Sequence, residues 1–77
     1  MIGDKYREIG SRRVIYVMPE PSDSQERKWR VWQGDWRYGG RVGEKFVSEM
    51  SWTNEAEAQS YLDRLAKVRG WKLVKKK

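Results

Sequence analysis

The stretch Arg27–Arg41, with the sequence RKWRVWQGDWRYGGR, constrains the fold more than any other part of the chain. It carries five basic residues and three of the five tryptophans, against a single acid, Asp35. Its Gly34-Asp35 pair is typical of a two-residue turn, so the stretch is predicted to form a β-hairpin. Pairing around that turn would place Trp32 directly opposite Arg37.

The predicted hairpin has two chemically different faces, because side chains alternate along a strand. One face is aromatic and aliphatic and suits a core; it holds Trp29, Val31, Trp36 and Tyr38. The other face is cationic around one exposed tryptophan; it holds Lys28, Arg30, Trp32 and Arg37. The cationic face is therefore the first candidate for a binding surface.

Two further segments have the composition of strands. Arg13–Met18 is rich in β-branched and aromatic residues and apolar on both faces, which predicts a central strand. Glu44–Met50 is predicted to be a later strand. An alternative register would pair Trp29–Gln33 with this later strand and leave Gly34–Arg41 as a long protruding loop. The sequence leaves both registers open.

A helix is predicted from Asn54 to Arg69. Asn54 and Glu57 have the spacing of a capping box, and Gly70 is a plausible stop. Asp63 and Lys67 are expected to pair on the solvent side. An apolar stripe at helical spacing is expected to face the sheet, and consists of Ala58, Tyr61, Leu62, Leu65, Ala66 and Val68.

The predicted fold class is α+β, with an antiparallel sheet of three or four strands and one C-terminal helix packed on one face. The outer face of the sheet is expected to be open to solvent. Residues 1–77 are predicted to form a single domain. Residues 1–11 are interpreted as a loose lead-in or a short edge element, 71–74 as a last short strand or a segment under the helix, and 75–77 as a basic tail.

Several classes of function are disfavoured by composition. The chain has no cysteine and no histidine, which rules out disulfides and any zinc site built from these residues. Its acids are scattered and no nucleophile has an obvious base, so we expect no enzyme, no metal and no cofactor. It offers no secretory segment and no apolar run long enough to cross a bilayer, so an intracellular, cytoplasmic location without membrane contact is expected.

The formal net charge is +6 and the pI is about 9.8, which favours a polyanionic partner. The candidate nucleic-acid-binding residues are Lys28, Arg30, Trp32, Arg37, Arg41 and Lys45. A second basic cluster follows in the last helical turn and beyond; Lys72, Lys75, Lys76 and Lys77 are expected to make auxiliary contacts with the nucleic-acid backbone.

A family resemblance is carried by several short motifs. They are Lys28-Trp29, Gly40-Arg41-Val42, the helix start with Thr53, Glu55, Ala58 and Tyr61, and finally Arg69-Gly70. The segment from Lys28 to Val74 resembles the APETALA-type plant transcription-factor domain and the related amino-terminal, arm-site-binding domains of phage and transposon integrases. In that family the sheet lies in the major groove, which implies DNA contacts from Arg30, Trp32, Arg37 and Arg41.

Two functions are therefore weighed. The first is a small DNA-binding module, of phage or mobile-element origin, that lays the outer face of its sheet on duplex DNA; single-stranded nucleic acid, stacked on Trp32, is the second ligand considered. The alternative is a phage-type adaptor or inhibitor that binds a protein through an exposed tryptophan and arginine face.

Overall fold

The computed structural model describes residues 2–20, 28–35, 45–47 and 49–74. These residues form one antiparallel sheet of five strands and one helix, which confirms the α+β prediction. In chain order the elements are β1 (Tyr6–Arg7), β2 (Arg13–Pro19), β3 (Trp29–Asp35), β4 (Lys45–Phe46), α1 (Glu55–Arg69) and β5 (Lys72–Leu73). The strands lie in the order β4-β3-β2-β1-β5.

Strand β2 is the central strand, as its composition predicts. It pairs with β1 on one side and with β3 on the other. Val14, Ile15 and Tyr16 are all buried, so both faces of β2 are covered. A strand covered on both faces has no need of polar alternation, which explains its continuous apolar run.

The hairpin turn predicted at Gly34-Asp35 is wrong. Strand β3 continues through both residues, with Gly34 opposite Val14 and Asp35 opposite Arg13. The continued pairing gives the backbone N–H and C=O groups of this part of β3 hydrogen-bond partners on β2. A turn at this point would remove those partners. On its other edge β3 pairs with β4, as the alternative register predicts, but that register is wrong in assigning Gly34 and Asp35 to a protruding loop. Residues 36–44, the tip of the predicted hairpin, lie outside the described residues.

Helix α1 begins and ends where its capping residues predict. The Asn54 side chain accepts hydrogen bonds from the backbone N–H groups of Ala56 and Glu57, at 2.7 and 3.3 Å. Gly70 follows the helix with φ 73°, a left-handed conformation that glycine adopts without steric cost. These local signals fix the bounds of the helix independently of the sheet.

The core lies between α1 and the inner face of the sheet, the face that α1 covers. Ile15, Val31 and Leu62 are fully buried in one cluster, as predicted for Leu62. The helix is turned about its axis relative to the predicted stripe, because Gln59 is buried while Val68 is 82 % exposed. The prediction that Val68 faces the sheet is therefore wrong. The cluster is surrounded by partly buried side chains: Tyr6, Val17, Val47, Trp52, Tyr61 and Trp71.

Both chain ends of the described region enter the sheet. Strand β1 lies between β2 and β5, so the interpretation of residues 1–11 as a loose lead-in or an edge element fails at Tyr6–Arg7. Strand β5 confirms the short last strand predicted within 71–74. The helix in the described part of the chain is too short and too polar to span a membrane.

Candidate nucleic-acid interface

The outer face of the sheet, opposite α1, carries an aromatic row. Trp32 lies directly opposite Tyr16 on one side and Phe46 on the other, so the three rings cross β2, β3 and β4 side by side. The Trp32 and Phe46 ring centroids are 4.5 Å apart with their planes inclined by 53°. Tilted pairs at this distance are a favourable aromatic arrangement. The row forms an apolar centre of packed aromatic rings on this face.

The aromatic row is only partly exposed, which corrects the expectation of an open outer face. Tyr16 is 4 % exposed, whereas Phe46 is 40 % exposed and Trp32 is half-buried. The Trp32 indole N–H donates to the carbonyl oxygen of Met18 at 3.2 Å. The Lys5 ammonium lies 5.7 Å from the Tyr16 ring centroid. Large neighbouring side chains thus cover much of the apolar area of one another.

Arg30 lies on the predicted face, but most of its side chain is buried. Its Cζ is 3.3 Å from the Phe46 ring centroid, and its Nη1 is 3.7 Å from a carboxylate oxygen of Glu20. The side chain is only 13 % exposed. A guanidinium held between a ring and a carboxylate primarily stabilises the sheet. The expectation that Arg30 is exposed to solvent on that face is therefore wrong.

The remaining predicted site residues that the structure describes lie on different faces of the sheet. Lys28 is exposed and belongs to the outer face, because it lies two residues before Arg30 along the strand direction. Lys45 is also exposed, but it is paired with Gln33 and alternates with Phe46, which places it on the other face. Lys72 is exposed on the outer face through its pairing with Arg7. Predicted residues outside the described part of the chain are Arg37, Arg41, Lys75, Lys76 and Lys77.

Two cations of the outer face were missed by the sequence analysis. Lys5 and Arg7 flank Tyr6, whose side chain turns toward α1, so both lie on the opposite side of β1. Both residues are exposed. The alternation of Lys5, Tyr6 and Arg7 is the signal that would have found them, but three residues are too few to establish a strand.

Polar contacts connect β1 with α1 on the helix side of the sheet. The Tyr6 hydroxyl donates to Asp63 Oδ1 at 2.7 Å, and the Gln59 amide donates to the same oxygen at 2.9 Å and to the Asp4 carbonyl at 3.2 Å. Glu8 accepts from Arg13 at 3.3 Å. Asp63 therefore contacts the sheet through Tyr6, which corrects its predicted location on the solvent side.

The contact between Tyr6 and Asp63 shifts the pKa of both groups. Burial and then the hydrogen bond to Asp63 raise the pKa of the Tyr6 hydroxyl from 10.0 to about 12. Burial alone would raise the pKa of the Asp63 carboxyl, but the hydrogen bonds from Gln59 and Tyr6 hold it below the ordinary 3.8. Asp63 is therefore ionised at neutral pH and its negative charge lies on the helix side.

The described residues offer little for other chemistry. They contain no group of three or more Asp, Glu, His or Cys residues placed to hold a metal ion. Two shallow grooves run along α1, with volumes of about 390 and 360 Å³. The first is lined by Trp52, Asn54, Ala56, Glu57, Ser60 and Arg64, and the second by Tyr61, Arg64, Leu65 and Val68.

No protein-family model matches this chain, and no curated protein or solved structure matches it significantly. The resemblance to the APETALA-type and integrase arm-site-binding domains therefore remains a hypothesis from sequence motifs.

Proposed function

We propose that this protein is a nucleic-acid-binding module that lays the outer face of its sheet on duplex DNA. The observation that carries the proposal is the group of exposed cations on the outer face. Exposed Lys5, Arg7, Lys28 and Lys72 share the outer face with Trp32. The Asp63 carboxylate lies on the opposite side, against Tyr6. A positive face on a protein of net charge +6 attracts phosphates.

The packing of the aromatic row favours duplex over single-stranded DNA. Stacking of unpaired bases needs accessible ring faces. Tyr16 is buried, Trp32 packs against Phe46, and the Arg30 guanidinium covers the Phe46 ring. The exposed cations, in contrast, need only a phosphate backbone within reach.

The dimensions of the sheet also suit a duplex. Five strands spaced about 4.8 Å apart give a face about 19 Å across. This width exceeds that of a major groove, about 12 Å, so one part of the face can enter the groove while cations on the rest of the face meet the flanking backbone. The exposed part of Phe46 suits apolar contact with thymine methyl groups. Arg37, Arg41 and Lys75–Lys77 remain predicted contacts of the same kind.

An NMR titration with duplex DNA, single-stranded DNA and RNA of equal length tests the proposal. At low salt, the Trp32 indole signal and the backbone signals of β1, β2 and β3 should shift most with duplex DNA. Affinity should fall steeply with salt, by about 0.9 in log–log slope per phosphate contact. Lack of any salt-sensitive binding at low ionic strength would reject the proposal. Tighter binding of single-stranded than of duplex DNA would make single strands the ligand.

Protein binding is the second candidate, because Trp32, Arg30 and Phe46 form one compact group. Tryptophan and arginine are the residues most enriched at the energetic centres of protein interfaces. Such a partner would be bound with little dependence on salt, and Trp32→Ala would lower its affinity by about 2 kcal/mol or more. The same titration separates the two functions, because a protein-binding face gives no nucleic-acid-induced shifts.

A further inference from the structure

Three cations meet where β1 lies beside β5 on the outer face. Arg7 is directly opposite Lys72 across the two strands. Lys5 lies two residues before Arg7 and therefore on the same face. All three residues are exposed. We refer to Lys5, Arg7 and Lys72 as the β1–β5 cluster.

The β1–β5 cluster includes two like charges, Arg7 and Lys72, in directly opposed positions. Directly opposed residues on one face have Cβ atoms about 4.5–5.5 Å apart, and like charges in that relation are destabilising. A phosphate lying over Arg7 and Lys72 would replace their repulsion with two attractive contacts. An anion over the pair would therefore meet two exposed cations at once.

Two members of the cluster, Arg7 and Lys72, lie one row away from the aromatic row. Arg7 and Lys72 extend the row of Val14 and Gly34, which carries no aromatic residue. Lys5 touches the end of the aromatic row, with its ammonium 5.7 Å from the Tyr16 ring centroid. At that distance the cation–π attraction is near its limit, so the exposed ammonium can still meet a phosphate.

We propose that the β1–β5 cluster binds the phosphodiester backbone of DNA without regard to base sequence. The proposal rests on the proposed function and divides the outer face into two parts. Lys5, Arg7 and Lys72 supply sequence-independent affinity by releasing counterions from phosphates. Trp32 and Phe46 meet the bases and supply whatever sequence preference the protein has.

The test compares two triple variants with equal loss of charge. The cluster variant carries Lys5→Gln, Arg7→Gln and Lys72→Gln. The control carries Arg64→Gln, Lys67→Gln and Arg69→Gln, all exposed on α1 behind the sheet. Binding of two duplexes of different sequence is measured over a range of salt concentrations, with circular dichroism and thermal melting to verify folding. The three single cluster variants are measured as well, so that a poorly folded triple variant does not decide the outcome.

For the cluster variant, the slope of log affinity against log salt concentration should be smaller in magnitude than that of the wild type by about 2.7, equally for both duplexes. The control should retain the wild-type slope. Between about 50 and 200 mM salt, the fall in affinity would then be about forty-fold smaller than in the wild type. Each single variant should lose about 0.9 of the slope.

The possible failures are distinguishable. A wild-type protein that binds no DNA rejects the proposed function itself, and the cluster with it. A wild type that binds DNA with an unchanged slope in the cluster variant rejects only the cluster. Equal losses in the two triple variants also reject the cluster, because they trace the effect to net charge.

Discussion

Arg7 on β1 lies directly opposite Lys72 on β5, so the outer face of the sheet sets two like charges side by side at its edge. Both residues are exposed, and their repulsion is therefore weakened but not abolished by solvent. Under the proposed function this pair connects fold and binding, because the charges proposed to bind phosphate also oppose the pairing of β1 with β5.

The first prediction is that Lys72→Glu stabilises the protein while weakening DNA binding. The substitution converts a repulsive cross-strand pair into an attractive one, which is expected to raise the free energy of unfolding by about 0.2–1 kcal/mol. Urea denaturation at low salt measures the gain. Lys72→Gln is the matched control and should lie between the two, and the differences should shrink at high salt. A less stable Lys72→Glu variant would contradict the assigned register.

The second prediction concerns the core. Leu62 is fully buried against Ile15 and Val31, so Leu62→Ala should lower the free energy of unfolding by about 2–5 kcal/mol. So large a loss removes much of the stability of a small domain. Leu65→Ala is the control, and because Leu65 is only half-buried its cost should be clearly smaller. Equal costs for the two, measured by urea denaturation, would mean that α1 is turned differently on the sheet.

The elements that the sequence predicts well are those with local signals. The helix has a capping asparagine, acids in its first turn and a glycine at its end, and all are close in the chain. Strand β2 has a run of β-branched and aromatic residues that few other structures accommodate. Both elements are confirmed with nearly the predicted bounds.

The elements that the sequence predicts poorly depend on contacts distant in the chain. Gly34-Asp35 favours a turn locally, but β2 offers a partner for every residue of β3 and the non-local ladder prevails. Strands β1 and β5 are each two residues long, too short to show a period. Lys5 and Arg7 went unrecognised as surface cations for the same reason.

The third prediction concerns alkaline pH. The pKa of the Tyr6 hydroxyl is about 12 in the folded protein, above its ordinary 10.0, so the protonated form is favoured by folding. The resulting contribution to the free energy of unfolding is fully present below about pH 10 and is lost as the pH rises through about 12. Thermal melting at increasing pH should show a loss of stability that Tyr6→Phe removes. A wild type and variant with parallel alkaline profiles would contradict the contact with Asp63.

The fourth prediction concerns acid pH. The pKa of the Asp63 carboxyl is held below its ordinary 3.8, so folding favours the ionised form. Its contribution is present above that ordinary value and is lost as the pH falls through the lower pKa of the folded protein. The Asp63→Asn variant should therefore be less stable than the wild type at neutral pH, and its stability should depend less on pH in the acid range. Glu49→Gln is a suitable control, because Glu49 is an exposed acid that takes no part in the contact between Tyr6, Gln59 and Asp63.

The fifth prediction distinguishes Arg30 on β3 from Lys28 just before the strand, because both cations were expected to bind DNA. Arg30 is packed over Phe46 and beside Glu20, so Arg30→Ala should lower the free energy of unfolding by about 1–2 kcal/mol. Exposed Lys28→Ala should change it by less than about 0.5 kcal/mol but should lower the DNA salt slope by about 0.9.

Arg30→Lys separates charge from packing at this position. Lysine keeps the positive charge but has no planar guanidinium to lie on the Phe46 ring. If Arg30 acts through packing, Arg30→Lys should lose most of the stability that Arg30→Ala loses, as measured by urea denaturation. Wild-type stability in both variants, together with a reduced salt slope in Arg30→Ala alone, would instead make Arg30 a phosphate contact.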